Sequence, residues 1–417
     1  MEGKKNTISV LMLPWSHKNF HIYICSTPIN LSSIKTNVTK TYSQSIELVE
    51  LPLPYLPNLP PHYHTTNGLS PHLINALKAP NFSKILKNRN PDLVIYDFNQ
   101  PWAAESAFSM NIPAVQFLTV SAAVVALALH MFDKPREKFL FPEIYLREYE
   151  ILQMKKAMEE SKDEKDPFCK ALGKSRDIIL VKTCRDFVGK YMDYLSKVIS
   201  KKIVPVGSLV QDSIDQGEHE EVIMQMQSLD KKEKSSTIFV SLWIEFFLSR
   251  EEIHEEAQGL ELSKVNFIWV IRFPLGEKII IQDVLPKGFL ERVEERGIVL
   301  EKWAPQTTIL QHTSIGGFVS HCGWSYFMES MKFGVPIIAM PMDIDQPMNA
   351  RIVEYIGMDE EIAKVIREVV IEESGEGVRK KAKELSEKMN IKGDEEIDGV
   401  VEELVAICNN KMISNKI

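Results

Sequence analysis

Short apolar runs alternate along the chain with longer stretches whose apolar residues recur at helical spacing. In the first half, residues 8–13, 20–25 and 92–96 are predicted strands. Residues 101–109 and 119–132 are predicted helices. The strands are apolar on both faces, which is typical of parallel sheets that helices cover on two sides. The pattern therefore predicts an α/β fold.

The second half repeats this alternation after a polar segment. Its predicted strands are residues 237–242, 267–271, 297–300, 317–320 and 336–340. Between the halves, residues 211–234 are dense in Asp, Glu, Gln and Lys. We predict two doubly wound parallel-sheet domains, residues 1–210 and 235–417, with residues 211–234 as the linker. In such folds ligands bind beyond the carboxyl ends of the strands, so a cleft between the domains is expected.

Composition and charge narrow the possible functions. The 417 residues are 44% apolar and 25% charged, as in globular proteins. A net charge of −8 argues against a nucleic acid partner. The longest apolar stretch, residues 120–132, is shorter than the roughly 20 residues of a membrane span, so no stable membrane insertion is expected. Five widely spaced cysteines favour reduced thiols. We expect a cytoplasmic monomer.

Residues 303–346 combine several groups that suit a nucleotide sugar. A predicted strand ends before His321 and Gly323, and a helix is predicted to begin near Ser325. Glycine permits a close backbone approach, and the free N–H groups of the first helical turn attract an anion such as a diphosphate. Glu329 lies one turn further on, where a carboxylate can accept hydrogen bonds from a ribose diol.

Three further residues extend this interpretation. Trp303 follows another predicted strand, where an indole face can stack on a nucleobase. Asp345 and Gln346 follow a third strand, and a carboxylate with an amide suits sugar hydroxyls. Each residue alone is explained as well by a structural role; the order of all of them favours a nucleotide-sugar site.

The same stretch resembles the signature of the plant family 1 UDP-glycosyltransferases. The matching positions are WAPQ at 303–306, HCGW at 321–324, Glu329, GVP at 334–336 and the closing Asp345-Gln346. The resemblance covers 44 residues, and flanking segments such as LPKGF at 285–289 look similar to the family as well. It implies a GT-B fold, a UDP-sugar as co-substrate, no metal or other cofactor, and inversion at the anomeric carbon.

Positions in the signature carry expected roles from the family. By this resemblance Trp303 stacks on uracil, and Gln306 and Glu329 contact the ribose. His321, with Gly323 and Ser325 at the start of the helix, lies against the diphosphate. The residues expected to contact the sugar are Trp324, Asp345 and Gln346. A closing Gln is usually associated with glucose in this family.

Two segments depart from the family pattern within the donor half. After HCGW the family usually has Asn-Ser or Ser-Ser, whose second hydroxyl bonds a phosphate, and this chain has Ser325-Tyr326. After the first strand of this half the family usually has Phe-Gly-Ser, and this chain has Leu242-Trp243-Ile244. Large side chains thus replace small ones, and we expect weaker donor binding.

A third departure lies near the N-terminus. Family members have a His after the first strand, the general base, and then a long helix before the second strand. Here only residues 16–19 separate Trp15 from the next predicted strand. Parallel neighbours need a crossover of about a dozen residues, so four residues are not expected to join them in the usual topology. The base and its helix are expected to be missing, and His17 is not assigned the role. Asp97 matches the Asp that orients the base.

The sequence therefore predicts a UDP-glycosyltransferase that transfers glucose to a hydroxyl of a plant secondary metabolite or its glycoside. Residues 96–102 and 142–147 look similar to members that extend flavonoid or terpenoid glycosides. The alternative is a catalytically impaired remnant that binds UDP or an apolar metabolite without turnover. An NAD-dependent oxidoreductase is excluded because no G-x-G-x-x-G follows a predicted strand.

Overall fold

Two parallel β-sheets organise the protein. The structure is a computed structural model, and it describes residues 6–10, 20–38, 45–52, 81–98, 100–134, 136–153, 167–210, 229–242, 248–273, 279–301, 304–357 and 375–414. The strands of the first sheet are β1 (Asn6–Val10), β2 (Phe20–Ser26), β3 (Ile46–Glu50), β4 (Leu93–Asp97), β5 (Ala114–Leu118), β6 (Ile178–Val181) and β7 (Lys202–Pro205). They lie in the order β3-β2-β1-β4-β5-β6-β7, and every pair is parallel.

The second sheet has five described strands with the same type of order. They are β8 (Thr237–Ser241), β9 (Asn266–Val270), β10 (Gly297–Leu300), β11 (Ile315–Ser320) and β12 (Ile337–Ala339). Their order is β10-β9-β8-β11-β12, again parallel throughout. In each sheet the chain first builds outwards on one side and then crosses to the other. The two reversals, between β1 and β4 and between β8 and β11, are the places where doubly wound sheets bind ligands.

Helices connect most of the strands. The described helices are α1 (Pro28–Asn37), α2 (Phe82–Arg89), α3 (Pro101–Phe108), α4 (Ala122–Asp133), α5 (Pro167–Lys174), α6 (Arg185–Ile199), α7 (Arg250–Ser263), α8 (Ile281–Val284), α9 (Phe289–Val293), α10 (Gln306–Gln311), α11 (Trp324–Phe333), α12 (Gln346–Tyr355) and α13 (Glu376–Ser414). The start of α7 shows how local sequence sets a boundary, because Ser249 and Glu252 form a reciprocal capping box. None of the helices in the described ranges is both long and apolar enough to cross a membrane.

The strand pattern of the sequence is confirmed where apolar residues are continuous. All five residues of β8 and all six of β11 are buried, as expected for strands covered on both faces. Strands β3, β5, β6 and β7 were not predicted from the sequence. The division of the chain into two domains joined by a linker at residues 211–234 stays a prediction, because residues 211–228 lie outside the described ranges.

The connection between β1 and β2 corrects one expectation. We expected four residues to be too few to join these strands as parallel neighbours. The structure pairs them in parallel, with Asn6 opposite Phe20 and Val10 opposite Ile24. The described part of the first strand is Asn6–Val10, and the nine residues 11–19 separate Val10 from Phe20. The usual strand order is therefore kept, although nine residues are still fewer than the dozen or so of a helical crossover.

One apolar cluster joins the two sheets. From the first sheet's side it includes Leu127 on α4 and Tyr191 on α6. From the second sheet's side it includes Trp324 on α11 and Met348 on α12. These side chains are all less than 5% exposed. Burial of this kind contributes about 1.5–3 kcal/mol for each large apolar side chain, so the cluster holds the carboxyl ends of the two sheets close to each other.

The long helix α13 returns to the first sheet. Val400, Leu404 and Ile407 of this helix are buried in one cluster with the side chains of β2 and β4. Charged residues support the return: Glu403 pairs with Lys202 of β7, and Lys392 pairs with Asp186 of α6 at 2.7 Å. This segment was expected to belong to the C-terminal domain, residues 235–417. Its alternation of apolar and charged residues predicts an amphipathic helix but does not indicate which sheet the helix packs against.

Replacing Leu404 by Ala is expected to lower the free energy of unfolding by about 2–5 kcal/mol, because the side chain is 3% exposed and its removal leaves a cavity. Glu402→Ala, at the exposed neighbouring position, is the matched control and is expected to change stability by less than about 0.5 kcal/mol. Urea unfolding of both variants measures the difference. Equal midpoints for the two variants would contradict the packing of α13 on the first sheet.

Candidate donor site

The candidate site lies at the strand-order reversal of the second sheet. Strands β8 and β11 are neighbours there and end at Ser241 and Ser320. The chain leaves β11 through His321, Cys322 and Gly323 and enters α11 at Trp324. This is the arrangement that the sequence predicted: a strand, a short glycine-containing turn and the N-terminus of a helix. The free N–H groups of the first turn of α11 face the carboxyl edge of the sheet, where they can bind an anion.

Gly323 is required by space in this turn. A Cβ at this position would lie 2.5 Å from Nε2 of His321, which is closer than real Cβ contacts. The backbone of Gly323 has an extended conformation with φ −56° and ψ 140°, which other residues also adopt. The glycine therefore lets the His321 ring lie across the start of α11.

His321 is a neutral imidazole in this environment. Its side chain is 4% exposed, and burial lowers its pKa from 6.5 to about 4. The ring packs edge-on against Tyr326, with 4.6 Å between the ring centroids. At neutral pH the group can donate or accept a hydrogen bond to a phosphate oxygen without carrying a charge of its own.

Gln306 and Glu329, both predicted to contact a ribose, lie next to each other. Nε2 of Gln306 donates a hydrogen bond of 2.7 Å to Oε2 of Glu329. Burial raises the pKa of Glu329, while the bond from Gln306 and the charge of Lys182 act in the opposite direction. The sequence separation of 23 residues is closed because α10 and α11 pack side by side. The second carboxylate oxygen can accept a hydrogen bond from a ligand hydroxyl.

Lys182 enters the site from the first sheet. It follows β6 directly, and its backbone N–H continues the sheet ladder by donating to the carbonyl of Leu118 at 2.8 Å. Its Nζ donates to Oγ of Ser325 at 3.0 Å, and its carbonyl accepts a hydrogen bond of 2.6 Å from Nε1 of Trp324. Burial lowers the pKa of Lys182, and the charge of Glu329 partly offsets this. Both sheets thus contribute to the start of α11.

The remaining signature residues form a hydrogen-bonded loop before α12. Oε1 of Gln346 accepts from the N–H groups of Met342 and Asp343, at 2.9 and 3.1 Å. Asp345 accepts from Nδ2 of Asn349 at 2.9 Å, and that same nitrogen reaches the carbonyl of Cys322 at 2.9 Å. Burial raises the pKa of Asp345, while the bond from Asn349 acts against it. The loop is therefore tied to the turn that follows β11.

Two of the predicted site residues stand apart from this set. Asp97 is the last residue of β4, at the carboxyl edge of the first sheet, as expected. Its expected role in orienting a catalytic base stays a prediction. Trp303, expected to stack on uracil, lies outside the described residues, as does Trp243. Among the described residues, no group of three His, Cys, Asp or Glu side chains is placed to hold a metal ion.

Tyr326, which departs from the family pattern, is packed inwards. Its ring lies 6.0 Å from that of Phe318 and beside His321. Burial raises the pKa of its hydroxyl, whereas the nearby Arg272 charge and a hydrogen bond with Ser241 lower it. The hydroxyl is thus directed to the ends of β8 and β9. The expected weakening of donor binding by this substitution stays a prediction.

Lys182 and Asn349 were missed in the sequence analysis. The signal for Lys182 was weak but present: a lysine directly after the four apolar residues 178–181, which form a strand that was not predicted. Asn349 lies in the first turn of α12 and is fully buried. A polar residue at this position is explained only once its two partners, Asp345 and Cys322, are known to be close.

Comparison with known proteins decides the family. Residues 214–371 match the family described as UDP-glucoronosyl and UDP-glucosyl transferase. UDP-glucosyltransferase 29 of Panax ginseng is 48% identical over 99% of this chain and 99% of its own length. This chain belongs to the family 1 UDP-glycosyltransferases of plants. Its co-substrate is accordingly a UDP-sugar, and the resemblance that the signature residues indicated is confirmed.

Two further relatives are similar to this glycosyltransferase over nearly their whole length. Beta-D-glucosyl crocetin beta-1,6-glucosyltransferase of Gardenia jasminoides is 46% identical, over 94% of this chain and 93% of its own. Cyanidin-3-O-glucoside 2-O-glucuronosyltransferase of Bellis perennis is 45% identical, over 96% of this chain and 97% of its own. The match to the Panax protein runs over 446 residues and exceeds the 417 residues of this chain by 29. This glycosyltransferase therefore lacks internal segments that the relative has.

The fold is GT-B, as predicted. Phytolacca americana UGT2, solved with UDP-2fluoro-glucose and pterostilbene, superimposes with a TM-score of 0.78 at 22% identity, over 97% of this chain and all of the other. The two parallel sheets with a cleft at their carboxyl edges are thus the shared architecture.

Because buried His321 is neutral, we expect the free energy of unfolding to depend on pH. Because burial lowers its pKa to about 4, the unfolded chain takes up a proton near pH 6.5 that the folded protein takes up only near pH 4. The contribution of His321 to stability is therefore complete above pH 6.5 and is lost as the pH falls. Between pH 7.5 and 5, wild type is expected to lose about 2 kcal/mol more than His321→Gln. Urea unfolding at both pH values measures this, and parallel pH profiles of the two proteins would contradict it.

Proposed function

We propose that this glycosyltransferase transfers a sugar from a UDP-sugar to a hydroxyl of a sugar that is already attached to a plant small molecule. The main support for a UDP-sugar donor is the hydrogen bond between Gln306 and Glu329. Glu329 lies about one turn inside the helix whose N-terminus follows Gly323. This arrangement offers a carboxylate for the ribose diol and backbone N–H groups for the diphosphate at a spacing of one helical turn.

The roles of the donor-site residues follow from their chemistry. Glu329 and Gln306 bind the ribose, and Trp303, by its position in the signature, stacks on the uracil. His321 and the turn at Gly323 meet the diphosphate, with Ser325 at the first turn of α11. The sugar is assigned to residues near the interface of the sheets: Trp324, Asp345 and Gln346. Because Oε1 of Gln346 is bonded within its loop, its amide nitrogen is the group assigned to a sugar hydroxyl.

The reaction is a displacement at the anomeric carbon. The acceptor oxygen attacks from the face opposite UDP, the bond between the anomeric carbon and the phosphate oxygen breaks, and the configuration inverts. The electron pair of the breaking bond stays on UDP, where the N-terminus of α11 stabilises the added negative charge. The acceptor proton goes to a base on the N-terminal side of the cleft. Asp97, at the end of β4, is assigned to orient that base.

Two lines of support favour a glycoside as acceptor. The names of the Gardenia and Bellis relatives specify acceptors that already carry glucose. The Bellis name also specifies a glucuronosyl group as the group transferred. In this chain, residues 142–147 pack against α12, which begins with the sugar-binding Gln346. The guanidinium of Arg351 lies 4.5 Å above the Tyr145 ring, and its Nη2 lies 3.6 Å from the carboxylate of Glu150. The proposed donor is UDP-glucose, because Gln346 closes the signature.

We further propose that the protein acts as a monomer in the cytoplasm. The side chains of Cys25, Cys184, Cys322 and Cys408 are buried thiols in the structure, which suits a reducing compartment.

Donor binding is tested with Glu329→Ala. Removing the carboxylate is expected to weaken UDP binding by about 10- to 100-fold, since hydrogen bonds to a charged group contribute about 1.5–3 kcal/mol. Titration calorimetry with UDP measures the affinity. Glu354→Ala, an exposed glutamate on α12, removes the same charge and is expected to bind UDP as wild type does. Equal affinity of wild type and Glu329→Ala would exclude this assignment of the ribose site.

A second experiment compares turnover by this protein with turnover by a variant that has an added loop and helix between its first two strands. A general base contributes typically 10²–10⁴ in rate, and the family's His after the first strand is expected to be missing from this chain. Inserting a family-like loop and helix, His included, between Trp15 and Ser16 is expected to raise turnover of UDP-glucose by about that factor. The acceptors are a panel of flavonoid and terpenoid glycosides, each compared with its aglycone.

The same insertion with Ala in place of its His is the control, and it is expected to leave the rate low. Product formation with UDP-glucose and UDP-glucuronate, followed by mass spectrometry, identifies the donor. A preference for aglycones over glycosides would contradict the proposed acceptor. If the unaltered protein turns over UDP-glucose as fast as the variant with the insertion, another residue serves as the base.

A further inference from the structure

We propose that Lys182 binds the diphosphate of the donor across the cleft, supplying from the first sheet a positive charge that no signature residue of the second sheet provides. The inference rests on the proposed function, because it concerns the same donor site. It assigns a residue of the N-terminal half to the recognition of UDP.

The position of Lys182 is fixed by backbone contacts on both sides. Its N–H continues the β5–β6 ladder through the carbonyl of Leu118, and its own carbonyl accepts the indole hydrogen bond of Trp324. A residue held at both its N–H and its C=O has little freedom to move away from the cleft. The side chain then extends along the first turn of α11, where Nζ reaches Oγ of Ser325 at 3.0 Å.

The surroundings of Nζ favour an anion. Its hydrogen-bond partner, the Ser325 hydroxyl, is neutral, and burial lowers the pKa of the ammonium more than the Glu329 carboxylate raises it. A partly buried cation in this state gains from an added negative charge. The N-terminus of α11 attracts an anion to the same place, so the helix and the ammonium act on one ligand group. A diphosphate offers several oxygens and can bond both at once.

Lys182 also accounts for the substitution at residue 326. The family usually has a hydroxyl residue there that bonds a phosphate, whereas Tyr326 is packed against Phe318 and directed to Ser241. A lysine ammonium is a stronger partner for a phosphate than the neutral hydroxyl that is missing. The charge thus comes from the opposite sheet, on a residue outside the 303–346 signature.

The charge contributes most in the transfer step. As the bond between the anomeric carbon and the β-phosphate oxygen breaks, the electron pair stays on that oxygen and UDP gains one negative charge. Lys182 keeps its proton throughout and stabilises the developing charge by attraction, in the manner of other fixed cations at transferring groups. It is expected to affect both donor affinity and the rate of transfer.

The experiment compares ligands with and without phosphates. Titration calorimetry with UDP and with uridine is carried out on wild type, Lys182→Met, Lys182→Arg and Lys197→Met. Lys197 is an exposed lysine of α6 and controls for the loss of one charge. Lys182→Met is expected to weaken UDP binding at least about 10-fold and to leave uridine binding unchanged. Lys182→Arg is expected to retain most of the UDP affinity, and Lys197→Met all of it.

A second measurement uses the unaltered protein, so the result does not depend on the folding of a variant. Acetylation of Lys182 by an amine-reactive ester is followed by mass spectrometry, and UDP is expected to slow it whereas uridine is not. Equal protection by both ligands, or UDP binding by Lys182→Met as tight as wild type, would overturn the assignment while leaving the proposed function intact. A wild-type protein that binds no UDP would overturn both.

Discussion

The hydrogen bond from the Trp324 indole to the Lys182 carbonyl is the contact on which the geometry of the donor site depends. It joins the first turn of α11 to the end of β6 and therefore connects the two sheets at their carboxyl edges. Trp324 is 3% exposed and its ring is stacked on Phe327 at 4.7 Å, so the indole N–H has little access to water. Breaking the bond would leave a buried N–H unsatisfied, at a cost of about 1–3 kcal/mol. The apolar cluster supplies the attraction between the two sheets, and this bond fixes the position of the first turn of α11 relative to the end of β6.

The titratable groups around this contact share one tendency. Burial lowers the pKa of His321 and Lys182 and raises that of Glu329 and Asp345. Each shift disfavours a charged form, as is typical of a site with little water. In such a site fixed dipoles and single charges act over a lower dielectric and have larger effects than in solvent. The neutral state of His321 matters for the proposed donor site, because a neutral imidazole can bond a phosphate without competing with the Lys182 cation for its negative charge.

The sequence predicted what depends on short-range order. The succession of strand, glycine turn and helix over 317–325 lies within nine residues, so local pattern alone specifies it, and the structure confirms it. The Gln306–Glu329 pair was predicted as two ribose contacts because the family signature has both. Features that depend on partners far apart in the sequence were not predicted. Strand β6 is only four residues long. Lys182 can be recognised as a site residue only when its contact with Ser325, 143 positions further on, is known. The return of α13 to the first sheet was missed for the same reason.

The short connection between β1 and β2 shows which part of the enzyme depends on chain length. To pair in parallel with β1, the chain must return along the five residues of that strand, a distance of about 16 Å. Nine residues reach about 30 Å when extended, so the pairing is possible without a helix. The order β2-β1-β4 is thereby kept, and Asp97 stays at the carboxyl edge beside β1. The candidate donor site lies on the other sheet, and among the described residues of the first sheet Lys182, at the end of β6, contacts it. A connection shorter than a helical crossover is therefore expected to affect the activation of the acceptor, while the described residues of the candidate donor site keep their places.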